Sequence, residues 1–176
     1  MITRALTFNS LAERFGLSID EAIIDRILKL CREAAITETG GILVGHYNEK
    51  HDWAIVTDLS GPPKDSKRSR ASFVRGVVGL QKWLNTIWCG KHHYYLGEWH
   101  YHPFANPEAS SLDAKQLKEN SENGPLRCSE PVMLIVGGNP NGSWEAKAYV
   151  YPKGKGLFCM KNLNPIGSSD LPIRKE

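Results

Sequence analysis

The chain has 176 residues, 41% of them hydrophobic and 23% charged, a size and balance that suit one globular domain with a substantial core and leave two domains crowded. A formal net charge of +3 is too small to imply nucleic-acid binding. No apolar run reaches the roughly eighteen residues of a membrane span and no basic-then-apolar leader is present, so a cytoplasmic protein without a membrane partner is expected.

Residues 1–17 read as an irregular lead-in or a short strand around residues 6–8. Ser18 and Glu21 have capping-box spacing for a helix over residues 19–35, whose Ile23, Ile27, Leu30, Cys31 and Ala34 fall on one face that packs on a sheet. Strands are predicted at residues 41–48 and 52–59, joined by a hairpin at Asn48-Glu49-Lys50. Residues 60–72 form a long polar loop, a kind of segment that tends to be functional or mobile. Its basic stretch, Lys64 to Arg70, has no interleaved aromatic residues and reads as a solvated loop, with the option of contacting an acidic or flexible substrate segment.

A second helix over residues 75–89 ends at Gly90-Lys91 and leads into a strand at 94–102. A helix over residues 111–121 stops at Asn123-Gly124-Pro125, and strands at 131–136 and 144–151 follow. The expected architecture is α+β, with α/β-like layers: a strongly twisted mixed sheet flanked by helices over residues 1–151. Residues 152–176, with Gly154, Gly156, Pro165, Gly167 and Pro172, read as an irregular tail. Four cysteines, Cys31, Cys89, Cys128 and Cys159, form no C-x-x-C pair and read as reduced and mostly buried.

The chemistry is concentrated in residues 100–113, His-Tyr-His-Pro-Phe-Ala-Asn-Pro-Glu-Ala-Ser-Ser-Leu-Asp. His100 and His102 are two apart on the predicted strand, so their imidazoles leave one face and can share one ion. Pro103 ends the strand, and Asp113, eleven residues after His102, brings back a hard oxygen ligand. Two histidines, a carboxylate and an open fourth position is the ligand count of a catalytic zinc site, so one Zn2+ per chain is expected. Glu38, ahead of Gly40-Gly41 and an apolar run, is the candidate base.

Each fragment also has a plain reading. Ser110 to Asp113 has the spacing of a helix capping box, and Glu38 beside two glycines can be a solvated loop acid. Glu98, two before His100, either supports an imidazole N–H or joins an ion pair with a neighbouring strand. His92 and His93 read as a solvated helix end, His46 and His51 as surface residues, and Trp99 as core.

In this order the elements resemble the JAB/MPN metalloprotease family, whose signature is an upstream Glu followed by H-x-H-P, six residues and S-x-x-D. Glu38, His100 to Pro103, the six residues 104–109 and Ser110 to Asp113 match it, and Gly97-Glu98-Trp99 resembles the prokaryotic branch, over about residues 18–151. Tyr101 is bulkier than the usual residue between the histidines and should point away from the metal.

The resemblance implies a JAB/MPN (cytidine-deaminase-like) fold, with zinc on His100, His102 and Asp113, Glu38 as proton shuttle and Ser110 directing its hydroxyl at the oxyanion. It further implies hydrolysis of the amide bond after the C-terminus of a ubiquitin-like or otherwise conjugated protein. The short segment after Asp113 lacks an added His/Cys set for a second zinc. Single-domain prokaryotic chains of this type resemble the deconjugating peptidases of CBASS antiphage operons, for which the partner is the C-terminal tail of a conjugated nucleotidyltransferase. A peptidase processing a sulfur-carrier or ubiquitin-like protein, a non-catalytic MPN-like scaffold and a nucleic-acid module using residues 64–70 remain open.

Overall fold

The computed structural model describes residues 5–10 and 15–164. In chain order these form β1 (Leu6–Ser10), β2 (Phe15–Ile19), α1 (Glu21–Ala34), β3 (Thr39–Tyr47), β4 (Trp53–Leu59), β5 (Lys67–Arg68), β6 (Phe73–Val74), α2 (Leu80–Lys91), β7 (Tyr94–Pro103), α3 (Ser111–Glu122), β8 (Val132–Gly138), β9 (Trp144–Val150) and β10 (Phe158–Asn162). Among the described residues, no helix is long and apolar enough to cross a membrane.

The expected mixed sheet is present, with β2 parallel to β4 and β7 parallel to β8. It is not open at its edges: the order β1-β10-β9-β8-β7-β3-β4-β2 closes on itself because β1 and β2 also pair. Closure uses segments whose sequence is a poor advertisement for a strand. Residues 158–162 lie in the stretch expected to be an irregular tail, yet Cys159 pairs with Tyr149 and Phe8 with Asn162. Flanking glycines dominate the local composition, while one of the two pairing partners, β1, is far away in sequence, so tertiary context helps make this strand. Residues 165–176 of the expected tail lie outside the described residues.

Two helix starts also move. Asp20, not Ser18, caps α1, accepting from the Ile23 N–H at 2.9 Å. Ser18 is occupied in β2, between Leu17 and Ile19, which point into the core. The second helix begins at Leu80 and not at residue 75, because Arg75 is drawn to Glu98 and the Val77 and Val78 N–H groups bind the Asp65 carboxylate. Val78, within the expected span of that helix, is consequently exposed and outside it. The polar loop before it is partly ordered, as β5 and β6 pair through Lys67 with Val74 and Arg68 with Phe73.

The main core joins Ile23, Ile27 and Cys31 of α1 to Phe8, Leu17, Ile19, Leu43, Trp99, Leu134 and Val150 of the sheet. On the other face of β3 and β7, Ile42, Val44 and Tyr95 pack against Leu80, Leu84 and Ile87 of α2. A β-bulge sets which residues of β7 face which layer. Leu43 pairs with Gly97 and Val44 with Tyr95, leaving Leu96 as the extra residue. The alternation therefore skips once: Leu96, Trp99 and Tyr101 belong to the main core, whereas Glu98 and His100 share the face of Tyr95. Gly97 is required beside the bulge, since a Cβ there would lie 1.9 Å from the Val132 carbonyl oxygen.

Met160 in β10 is buried in the main core. Met160→Ala is expected to destabilise the protein by about 2–5 kcal/mol in chemical denaturation. A loss near zero would mean that this segment packs on nothing.

Candidate metal centre and active site

β7 presents His100 and His102 on one face, and α3 starts where its first turn brings Asp113 against them. Ser110 is the N-cap of α3, and the capping box is complete: Asp113 N–H donates to Ser110 Oγ at 3.2 Å, and Ser110 N–H donates to Asp113 Oδ2 at 2.8 Å. The Ser110 hydroxyl also donates to Asp113 Oδ2, at 2.6 Å. Asp113 Oδ1 then meets His100 Nδ1 at 2.8 Å, and Asp113 Oδ2 lies 3.8 Å from His102 Nε2. The capping and ligand readings of Ser110 to Asp113 are thus the same geometry, in which the cap fixes the carboxylate that faces the histidines.

One potential ligand atom from each of His100, His102 and Asp113 falls within 4.8 Å of the others. Tetrahedral ligands about 2.1 Å from a zinc ion are about 3.4 Å apart; His100 Nδ1 lies 2.8 Å from Asp113 Oδ1 and His102 Nε2 lies 3.8 Å from the other carboxylate oxygen, Oδ2, separations on the scale of such a site. Two imidazole nitrogens and a carboxylate oxygen also form a donor set that suits zinc. The residues present fit the ion.

Glu38 sits in the turn before β3, its backbone N–H donating to the Ser69 carbonyl at 2.8 Å. With Phe73, His102, Pro103, Ser110 and Asp113 it lines a cleft of about 300 Å³. His100 lines an adjoining small cavity with Glu98 and with Phe73, Leu112 and Asp113, which also line the cleft. The Phe73 ring meets the His100 imidazole edge-on, with centroids 5.3 Å apart. Gly40 lets β3 pass this close, since a Cβ would lie 2.3 Å from the Trp99 carbonyl oxygen and 3.0 Å from His100 Cδ2.

Electrostatics follow from burial and pairing. Burial pushes the Asp113 carboxyl up, but the hydrogen bonds from His100 and Ser110 outweigh it and hold the group at about 2. Burial likewise disfavours a charged His100, yet Asp113 and Glu98 bring it up to about 9. Burial raises Glu38 above the usual carboxylate range; the charge of His102 opposes this and that of Asp113 adds to it. A proton on His100 and a metal ion compete for the same nitrogen lone pair.

The remaining sequence candidates are elsewhere. His46 and His93 stack with centroids 4.8 Å apart, and Thr57 Oγ1 bonds His93 Nδ1 at 2.8 Å. His92 is the left-handed C-cap of α2 and His51 is exposed. Trp99 and Tyr101 are fully buried on the face opposite the site, the Tyr101 hydroxyl donating to the Ala35 carbonyl at 3.3 Å. Sequence reading missed Phe73, Arg75, Asn120 and Tyr149. Arg75 and Asn120 hold Glu98, and Tyr149 accepts the Ala109 N–H at 3.1 Å, fixing the segment that carries Ser110. Each contact joins residues 22 or more apart in sequence, and no local motif announces it.

Residues 20–147 match the family described as prokaryotic homologs of the JAB domain, and the chain belongs to that family. It is 38% identical over 155 residues to a protein of Enterobacter hormaechei subsp. hoffmannii named "CD-NTase/cGAS isopeptidase", covering 88% of this chain and 85% of that one. An Escherichia coli protein of the same name is 34% identical over 57% of this chain and 62% of its own. "Probable metalloprotease y4qB" of Sinorhizobium fredii is 27% identical, over 75% of this chain and 81% of its own. The solution structure of a Desulfitobacterium hafniense protein superposes with a TM-score of 0.55 at 17% identity, covering 79% of this chain and 86% of that one, a likeness of fold.

The His100–Asp113 pair predicts a pH profile for chelator-treated protein. A histidine raised to about 9 contributes stability that is fully present below its ordinary 6.5 and lost as pH rises through 9. An aspartate lowered to about 2 contributes stability present above its ordinary 3.8 and lost as pH falls through 2. Melting temperature should therefore drop between about pH 6.5 and 9, and the drop should shrink in Asp113→Asn. A flat profile across that window in the chelator-treated wild type would contradict the pairing.

Proposed function

We propose that the chain is a zinc-dependent isopeptidase that hydrolyses the amide bond after the C-terminal residue of a conjugated protein, with a CD-NTase released from its targets in antiphage defence as the substrate. The observation that carries this reading is the gathering of Glu38, His102, Ser110 and Asp113 around one cleft, with His100 against Asp113 in the adjoining cavity. Family membership and the relatives named isopeptidase and metalloprotease support it.

His100, His102 and Asp113 would hold the zinc ion. When bound, the ion supplies Lewis acidity to the scissile carbonyl and acidifies water. Glu38, a carboxyl raised by burial, removes the proton of the attacking water and returns it to the departing amine, one group serving as base and then acid. The Ser110 hydroxyl donates to the oxyanion. Its single proton is given to Asp113 in the resting geometry, so service to the substrate requires turning it into the cleft; the Ser110 N–H bond to Asp113, at 2.8 Å, keeps the carboxylate held when it turns.

Arg70 lines the mouth of the cleft, which brings the basic stretch, exposed at Lys67 and Arg68, to the substrate side. An extended C-terminal tail of the conjugated protein enters there. A scaffold has no use for a proton-shuttling carboxylate and a hydroxyl aimed at one ligand cluster, and that arrangement weighs against the non-catalytic alternative.

A CD-NTase fused through its C-terminus to an unrelated reporter should be cut after its last residue, as read by the masses of both products. Glu38→Ala should lower turnover by about 10²–10⁴-fold with metal content and melting unchanged. Ser110→Ala should lower it by about 10²-fold or more, beyond what loss of a helix cap, about 1 kcal/mol of stability, explains. Full cleavage by Glu38→Ala, or cleavage indifferent to changes in the carrier tail, would overturn the proposal.

A further inference from the structure

Glu98 is fully buried two residues before His100, on the same face of β7. Its Oε1 is crowded with donors: Arg75 Nε and Nη2 each at 3.0 Å and Asn120 Nδ2 at 2.8 Å. Its Oε2 is enclosed and has no hydrogen-bond partner within normal range among the described residues. The group facing it is His100 Nε2, at 3.6 Å. A buried carboxylate oxygen without a donor is costly, and the N–H of this imidazole is the donor in position to serve it.

We propose that Glu98 is a positioning residue that fixes the tautomer of metal-bound His100: it keeps the ring proton on Nε2, so that the proton Nδ1 gives to Asp113 in the metal-free geometry is the one the metal displaces. The inference rests on the metal-centre reading above. Nδ1 is the nitrogen that faces Asp113, at 2.8 Å. His102 is set the opposite way, with Nδ1 against the Asn106 carbonyl at 3.4 Å and Nε2 toward Asp113. The two ligands thus present different nitrogens, each set by the group its other nitrogen faces. Arg75 comes from the segment between β6 and α2 and Asn120 from α3, so three elements converge on the oxygen that keeps the carboxylate from rotating.

The position discriminates sharply between a carboxylate and its amide. In Glu98→Gln, Arg75 and Asn120 still donate, which pins the amide carbonyl in the place of Oε1. The amide NH2 then faces His100 Nε2 donor to donor. His100 relieves the clash by moving its proton to Nδ1, the atom the metal needs.

Zinc affinity measured by chelator competition should therefore fall about 10–100-fold in Glu98→Gln. In Asn120→Ala, which removes one donor from Oε1 while Arg75 still holds that oxygen and Oε2 stays a carboxylate oxygen, affinity should fall by less than in Glu98→Gln. Long-range 1H–15N correlation spectra of zinc-loaded wild type should show His100 protonated on Nε2 and bound through Nδ1, with His102 reversed. This readout needs no variant to fold. Wild-type spectra with His100 protonated on Nδ1, or undiminished zinc affinity in Glu98→Gln, would overturn the assignment. Retention of full zinc affinity in His100→Ala would instead overturn the metal-centre reading itself.

Discussion

Everything at this site depends on the placement of one strand. β7 lies between β3 and β8 and is buried along most of its length, so its register is held from both edges and its side chains are sorted between two layers. In such a strand a slip of one residue would exchange the histidine face for the core face. The bulge at Leu96 puts Leu96, Trp99 and Tyr101 into the main core while Tyr95, Glu98 and His100 stay on the functional side. Large apolar side chains, chiefly Trp99 and Tyr101, thereby anchor the backbone from which the imidazoles project.

The second constraint is the start of α3. A helix N-terminus leaves backbone N–H groups without partners, and a carboxylate in the first turn satisfies one of them. Asp113 does this through Ser110 and simultaneously faces both histidines. Stability and chemistry therefore draw on one rotamer. The cost is concentrated charge: Asp113, Glu98 and Glu38 lie near the imidazoles, and among the described residues Arg75 supplies a guanidinium paired with Glu98. A divalent cation is the complement that such a cluster favours, which is why the geometry and the family membership point the same way.

Much of the candidate site is legible in the sequence, because H-x-H on a strand and S-x-x-D at a helix start are local patterns with fixed physical meaning. Glu38 was legible only as a candidate; what brings it to the cleft is the pairing of β3 with β7 and the Ser69 carbonyl that holds its backbone. The support of Glu98 by Arg75 and Asn120 had no local signal at all. In the fold, long periodic elements are readable, and β1 is anticipated as the alternative of a short strand around residues 6–8, while β2 and β10 are not, since each gains a partner far along the chain, β4 and β1 respectively. The short start of α2 had a similar cause: Asp65 and Glu98, distant in sequence, draw residues 75–78 away from helix.

The account turns on whether three side chains hold one ion. The most direct measurement is zinc content per chain after exhaustive dialysis, taken for the wild type, His102→Ala and Asp113→Ala together. One equivalent in the wild type and a small fraction of that in both variants, with folds intact by circular dichroism, is the predicted result. A full equivalent retained by either variant, or none in a folded wild type supplied with zinc, would contradict it.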